Sequence, residues 1–244
     1  MLLLALTSAW SIRSPGETGL GVHPASWSNT PLSCLTAPAG LGRLGEFQIQ
    51  VTLGVPGDGY TAAAAAARPL GKGFTAGAGG GWNETDGSGL FQLSSCYVIT
   101  GDPIGFMEGL YGPSITAGAA ATATYNDSTG SSDVSFDSGI QFSLFPSFAL
   151  GLNCTDIAGE ASFTTGFSHV FNRNLRVHVS YSRDMWRGGA ELTVKPFLQL
   201  LAGTDGSGFN GGLLYRWGTW TGSYGAAFLE SSIEHSFGLS RRFR

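Results

Sequence analysis

His23, His169, His178 and His235 are the side chains of this chain best suited to acid–base or metal chemistry, and their placement keeps them apart. Alternate residues of an extended chain share a face. By that rule His169 falls with Phe163, Phe167 and Phe171, and His235 with Phe237, whereas His178 falls with Arg176 and Ser180. Two of these histidines face oil and one faces water, so neither a shared metal nor a Ser/His relay is expected. No GxSxG, HExxH or GxxxxGK[ST] motif occurs. Cys34, Cys96 and Cys154 are three in number with no CxxC pair, so a zinc site is not written here; three small buried thiols or a single bridge both fit. No metal, cofactor or enzymatic activity is therefore expected.

Two other groups could bind. Arg176 and His178 lie on the polar face of LRVHVSYSR (175–183), where they could meet an acyl carboxylate or pair with Asp137 and Glu191. The stretch ITGDPIGFMEGLYG (99–112) is long for a hairpin connection, and its Phe106, Met107, Leu110 and Tyr111 could capture a hydrophobic ligand from outside or fold over as a lid.

The elements that must carry these residues follow from composition. Charged residues make up 12% of the chain, against about 25% in soluble domains. Glycine supplies 38 of 244 residues and aromatics 12%, yet mean hydropathy is only +0.09. No window approaches the ~18 consecutive apolar residues of a membrane helix. Alternating lipid-facing and lumen-facing side chains reconcile these facts, because they average to near-neutral hydropathy while a closed sheet pairs every backbone polar group. The net charge of −4 argues against a nucleic-acid partner, which needs a basic face.

The last residues, SSIEHSFGLSRRFR (231–244), show the alternation plainly. Ile233, His235, Phe237, Leu239 and Phe243 take one face, and Glu234, Ser236, Ser240 and Arg242 the other. Earlier runs repeat it: FQIQVTLGV (47–55), VSFDSGIQFSLF (134–145) and ASFTTGFSHVF (161–171). Gly-, Asn- and Asp-rich corners such as Thr85–Gly89 and Thr204–Gly208 separate them, so successive strands are antiparallel neighbours. Roughly 200 residues at roughly 15 per strand and turn, with even numbers preferred, predict 12 or 14 strands.

Three segments result. Residues 1–11 contain the apolar run LLLALTSA, which suits an export signal. Residues 12–46 carry prolines at 15, 24, 31 and 38 with no sustained period. Trp27, Leu32, Leu35, Leu41 and Leu44 make that segment too apolar to hang in water, so it is expected inside the lumen as a hatch. Residues 47–244 form the barrel. The fold class is all-β: a transmembrane antiparallel barrel in the bacterial outer membrane, with outer-membrane lipid as its solvent.

Gly19-Leu20-Gly21, Ser26-Trp27-Ser28-Asn29 and the stretch Ala37-Pro38-Ala39-Gly40-Leu41, followed by Glu46 and the first strand, resemble the N-terminal region of FadL-like outer-membrane proteins, a superfamily that includes PorV-type barrels. Ala37 stands where that pattern carries Asn. FALGLNCTDI (148–157) and HSFGLSRRF (235–243) are similar to mid-barrel and final strands of the group. The resemblance implies about fourteen strands, an inward-folded N-terminal hatch and transport of hydrophobic, fatty-acid-like molecules. It also implies that Phe237, Leu239 and Phe243 form the signal read by the outer-membrane assembly machinery.

In such transporters a kinked early strand opens the wall sideways. YTAAAAAAR (60–68) and GFTAGAGGGW (73–82) have small side chains on both faces, so a hatch or ligand could approach closely, or the small residues could simply tighten strand packing. Gly77, Gly79, Gly80 and Gly81 are candidates for the kink, and Pro196, placed within AELTVKPFLQLL, is a second because proline removes a ladder hydrogen bond. Passive uptake of a hydrophobic small molecule leads. A non-conducting PorV-type barrel that docks a secretion-system partner, and a soluble secreted β-sandwich, stand as alternatives.

Overall fold

A computed structural model describes residues 30–55, 59–103, 112–145, 147–182, 185–206, 208–228 and 232–243. The export-signal stretch, residues 12–29 of the expected hatch, and Phe106, Met107, Leu110 and Tyr111 lie outside the described residues.

Fourteen strands follow one another along the chain. The first seven are β1 (Phe47–Val55), β2 (Thr61–Gly71), β3 (Phe74–Asn83), β4 (Ser88–Gly101), β5 (Ser114–Asn126), β6 (Ser131–Phe145) and β7 (Phe148–Thr155). The others are β8 (Ser162–Asn172), β9 (Leu175–Ser182), β10 (Met185–Lys195), β11 (Leu198–Thr204), β12 (Phe209–Trp217), β13 (Trp220–Phe228) and β14 (Ile233–Phe243). Each pairs antiparallel with its chain neighbours, and β1 pairs with β14 from Phe47↔Phe243 to Val55↔His235, so the sheet closes on itself. A closed sheet excludes the two-sheet sandwich, and it leaves no edge groups unpaired in lipid.

The barrel is inside-out relative to a soluble protein. Ile49, Phe136 and Phe237 are 38%, 50% and 49% exposed on the outer surface, while Gln50, Gln92, Thr116, Gln141 and Ser168 are buried within. The period-2 pattern of the sequence causes this directly, since each greasy residue in β1 or β14 is followed by one that points into the lumen.

The two ends differ. Two-residue turns at 72–73, 173–174, 196–197 and 218–219 share one end with Phe47 and Phe243, the outer limits of β1 and β14. The tightest, Gly71-Lys72-Gly73, takes positive φ at all three residues (89°, 50° and 80°), which glycine tolerates at the first and third. Connections at the opposite end, such as 84–87, 127–130 and 156–161, are longer. Short turns mark the periplasmic end of bacterial barrels and long loops the outer end.

β4 ends and β5 begins at the short-turn end, because β4 runs back towards the level at which β1 starts; residues 104–111 between them lie outside the described residues. One expectation changes here. Pro196 lies in the turn between β10 and β11 rather than inside a strand, so it removes no ladder hydrogen bond. A register shift between Thr193 and Lys195 accompanies that turn.

Candidate functional site in the barrel lumen

Residues 30–46 enter the lumen and pack on one side of it. A single helical turn, α1 (Ser33–Thr36), leads through Ala37 into a 3₁₀ segment, Pro38–Arg43, that begins with proline where a free N–H is not needed. Leu32, Cys34, Leu41 and Leu44 form one apolar cluster with Ala63, Ala65 and Ala67 of β2 and Cys96 of β4, and Leu35 and Leu90 pack against it. Leu41 has no exposed surface. Burying a leucine side chain in this way contributes about 1.5–3 kcal/mol.

Polar bonds fix the register of this plug. The Ala39 carbonyl accepts from Thr116 Oγ1 at 3.0 Å and from Cys96 Sγ at 3.3 Å. Asn153 Nδ2 donates to the Thr36 carbonyl at 3.3 Å, and Arg43 Nη2 donates to Ser143 Oγ at 3.0 Å. Glycines make room: a Cβ on Gly77 would stand 2.8 Å from Cys34 Cβ, and one on Gly118 would collide with the Pro38–Ala39 peptide. Cys34, embedded in this contact, has its thiol pushed up to about 12, first by burial and against the pull of a Ser94 hydrogen bond. The neutral thiol is the form that fits.

The facing wall is ionic. His178 on β9 sits between Ser168 Oγ, 2.7 Å from its Nδ1, and Glu191 Oε1 on β10, 2.9 Å from its Nε2. Glu191 Oε2 also faces Arg176 Nη1 at 3.6 Å. Cross-strand register brings them together, because Ser168↔His178, Arg176↔Glu191 and His178↔Gly189 are direct partners. With Glu191 accepting from Nε2–H, Nδ1 accepts from the Ser168 hydroxyl, so one tautomer satisfies both contacts. Ser168 and His178 are 0% and 1% exposed, so this chain orients and neutralises charge inside the wall without presenting a nucleophile to the lumen.

The other predicted positions divide. Of the glycines in β3, Gly77, Gly79 and Gly81 point inward with Thr75, and Gly80 points out; pairing with β2 and β4 runs unbroken through all four. Gly77 and Gly79 stand against α1, so the plug occupies the space that their missing side chains leave. Ala37, Pro38, Ala39, Gly40 and Leu41 are all buried in the plug. Phe237 and Leu239 lie on the outer surface, and Phe243 stacks on Phe47 at 5.1 Å between ring centres. Asp137, offered as a partner for Arg176, instead accepts from Gln92 and Thr122 and from the backbone of Asp156. Ser168 was not singled out by sequence; its inward parity in β8 was the available signal. The outer wall also bears an apolar groove of about 530 Å³ where Gly188, Ala190 and Ala202 thin the sheet between Val177, Val179 and Phe209.

A closed fourteen-strand sheet with a greasy exterior, a polar interior and a segment folded into its lumen defines a transmembrane β-barrel of the bacterial outer-membrane class. Among solved structures, the toluene transporter TbuX of Ralstonia pickettii superposes over 95% of this chain and 98% of its own, with a TM-score of 0.68 and 14% identity. The toluene transporter TodX of Pseudomonas putida covers 95% and 98%, with a TM-score of 0.64 and 10% identity. At such identities the likeness is one of fold. No protein-family model and no curated relative matches the chain.

Proposed function

We propose that this protein is a passive outer-membrane channel for a small hydrophobic molecule. The observation that carries the reading is the apolar seat of the plug: Leu32, Cys34, Leu41 and Leu44 pack against the alanine face of β2, so displacement of the plug would bare an apolar patch on the lumen wall. Solved barrels of the same fold are toluene transporters, which supports the same solute class.

A narrower version takes the cargo to be fatty-acid-like, which requires a cation for its carboxylate. Arg176 already faces Glu191, so a carboxylate would have to compete with an existing ion pair, and an uncharged cargo fits the lumen with less rearrangement.

Uptake by intact Gram-negative cells, with and without the protein, tests this using labelled toluene, labelled oleate and labelled arabinose. Toluene entry is expected to rise several-fold, oleate less, and arabinose not at all. Equal toluene entry with and without the protein would refute the channel and favour the partner-docking alternative; raised arabinose entry would make it an open porin.

A further inference from the structure

The few full charges on the outer faces of the described strands are cations at the short-turn end: Lys195, paired with outward-facing Leu198, and two arginines beside the closure of the barrel. Arg68 on β2 and Arg241 on β14 have the same outward parity as Ile49 and Phe237 and are exposed. They flank the seam where the barrel closes. Arg241 lies over the Trp220 ring, 5.0 Å from its centre, and over the Phe243 ring at 4.8 Å, and Phe243 stacks on Phe47. Gln48 pairs with Ala67, which puts Arg68 one step further along, beside Phe47. The row Arg68, Phe47, Phe243, Arg241, Trp220 thus crosses four strands at one level.

A charge on the lipid side of a barrel costs about 2–4 kcal/mol at mid-bilayer and falls towards zero at the interface, so these residues belong at headgroup depth. Among the described residues neither has a carboxylate partner, and no Asp or Glu of the described strands points outward. Contact with two ring faces holds the Arg241 side chain at the rim, and its guanidinium N–H groups are suited to an anion there. The surrounding field has the same sign. Arg68, Lys72, Arg173, Lys195, Arg241 and Arg242 gather at this end with Glu46 and Asp102 as its described acids, whereas Glu84, Asp86, Asp127, Asp156, Glu160 and Asp205 occupy the other.

We infer that this seam is a binding site for the phosphate of an anionic phospholipid in the leaflet at the short-turn end. The phosphate sits between the two guanidinium groups, and its acyl chains lie along the outward side chains of β1 and β14. Bound there, the lipid bridges the first and last strands, the one closure in the barrel that joins distant parts of the chain.

The test is native mass spectrometry of the full chain released from detergent micelles containing equal phosphatidylglycerol and phosphatidylethanolamine. The wild type is expected to retain phosphatidylglycerol preferentially, and Arg68→Gln/Arg241→Gln to lose that preference, by about five-fold for each arginine. Heat-modifiable gel migration verifies that the variant is folded. Arg241→Lys, which keeps the charge and loses the planar fork, is expected to fall between them and provides the readout if the double variant does not fold. Inorganic phosphate at millimolar concentration is expected to leave the bound lipid in place. Equal retention of the two lipids by wild type, an unchanged preference in the variants, or displacement by inorganic phosphate would each overturn the proposal.

Discussion

One side of the lumen, walled by β2 to β5, and the side walled by β8 to β10 solve the same problem in opposite ways. A fourteen-strand sheet encloses more space than its own side chains fill. On the first side the strands withdraw their side chains: Ala63, Ala65, Ala67, Gly77 and Gly118 leave a hollow that a separate apolar segment fills. On the second side the strands fill the space themselves with a hydrogen-bonded ionic chain, Ser168–His178–Glu191–Arg176. The contrast shows where movement is cheap. A plug held by apolar contact and side-chain hydrogen bonds to the wall can shift as a unit, whereas the ionic chain is built into covalently continuous strands.

The largest expected effect lies on the ionic side. Glu191→Ala leaves Arg176 and His178 facing each other without their carboxylate, and should cost about 3–5 kcal/mol of barrel stability. Denaturant unfolding in detergent measures it. A loss below 1 kcal/mol would mean that water already screens the pair, and the contrast between the two sides would weaken. Leu41→Ala should cost about 2–5 kcal/mol. That loss should fall on the docking of the plug, so proteolysis within residues 30–46 is expected to accelerate while heat-modifiable migration of the barrel persists. Simultaneous loss of both would show that plug and barrel fold as one unit.

Gly118→Leu sharpens the same division with a smaller change, about 1–3 kcal/mol, because the new side chain collides with the Pro38–Ala39 peptide. Maleimide labelling of Cys34, negligible in the folded wild type at pH 7, is expected to become measurable in this variant; continued protection would place the tolerance in the wall. The smallest effect comes from Cys34 itself. Its folded value of about 12 lies above its ordinary 9.0, so its contribution to plug docking is complete below pH 9 and fades as pH rises from there towards 12. Protease resistance of the plug should therefore drop across that window in the wild type and stay flatter in Cys34→Ala. An identical profile in the two would remove the thiol from the account.

Much of this architecture was legible in single strands. The alternation of Phe47, Ile49, Val51 and Leu53 with Gln48, Gln50 and Thr52, repeated in Ile233 to Phe243, says which side meets lipid, because strand geometry gives every second residue the same solvent. The burial of Ala37 to Leu41 likewise agreed with their small, apolar character. Pro196 was misplaced because a proline in a run of strand-forming residues marks either an interruption or a corner, and local pattern does not separate the two. Length alone does not say at which end of the barrel the 102–113 connection starts; the number of strands before it does.

What the sequence by itself determined was the membrane class, the inward and outward faces and an even strand number, 12 or 14, that includes the fourteen found, since all of these follow from period and turn chemistry over a few residues. Only the tertiary structure decided that Ser168 meets His178, that Gly77 and Gly118 receive the plug, and that Arg68 and Arg241 share one rim. Those contacts depend on strand register and on closure between β1 and β14, which join residues nearly two hundred positions apart, and side-chain period carries no information about either.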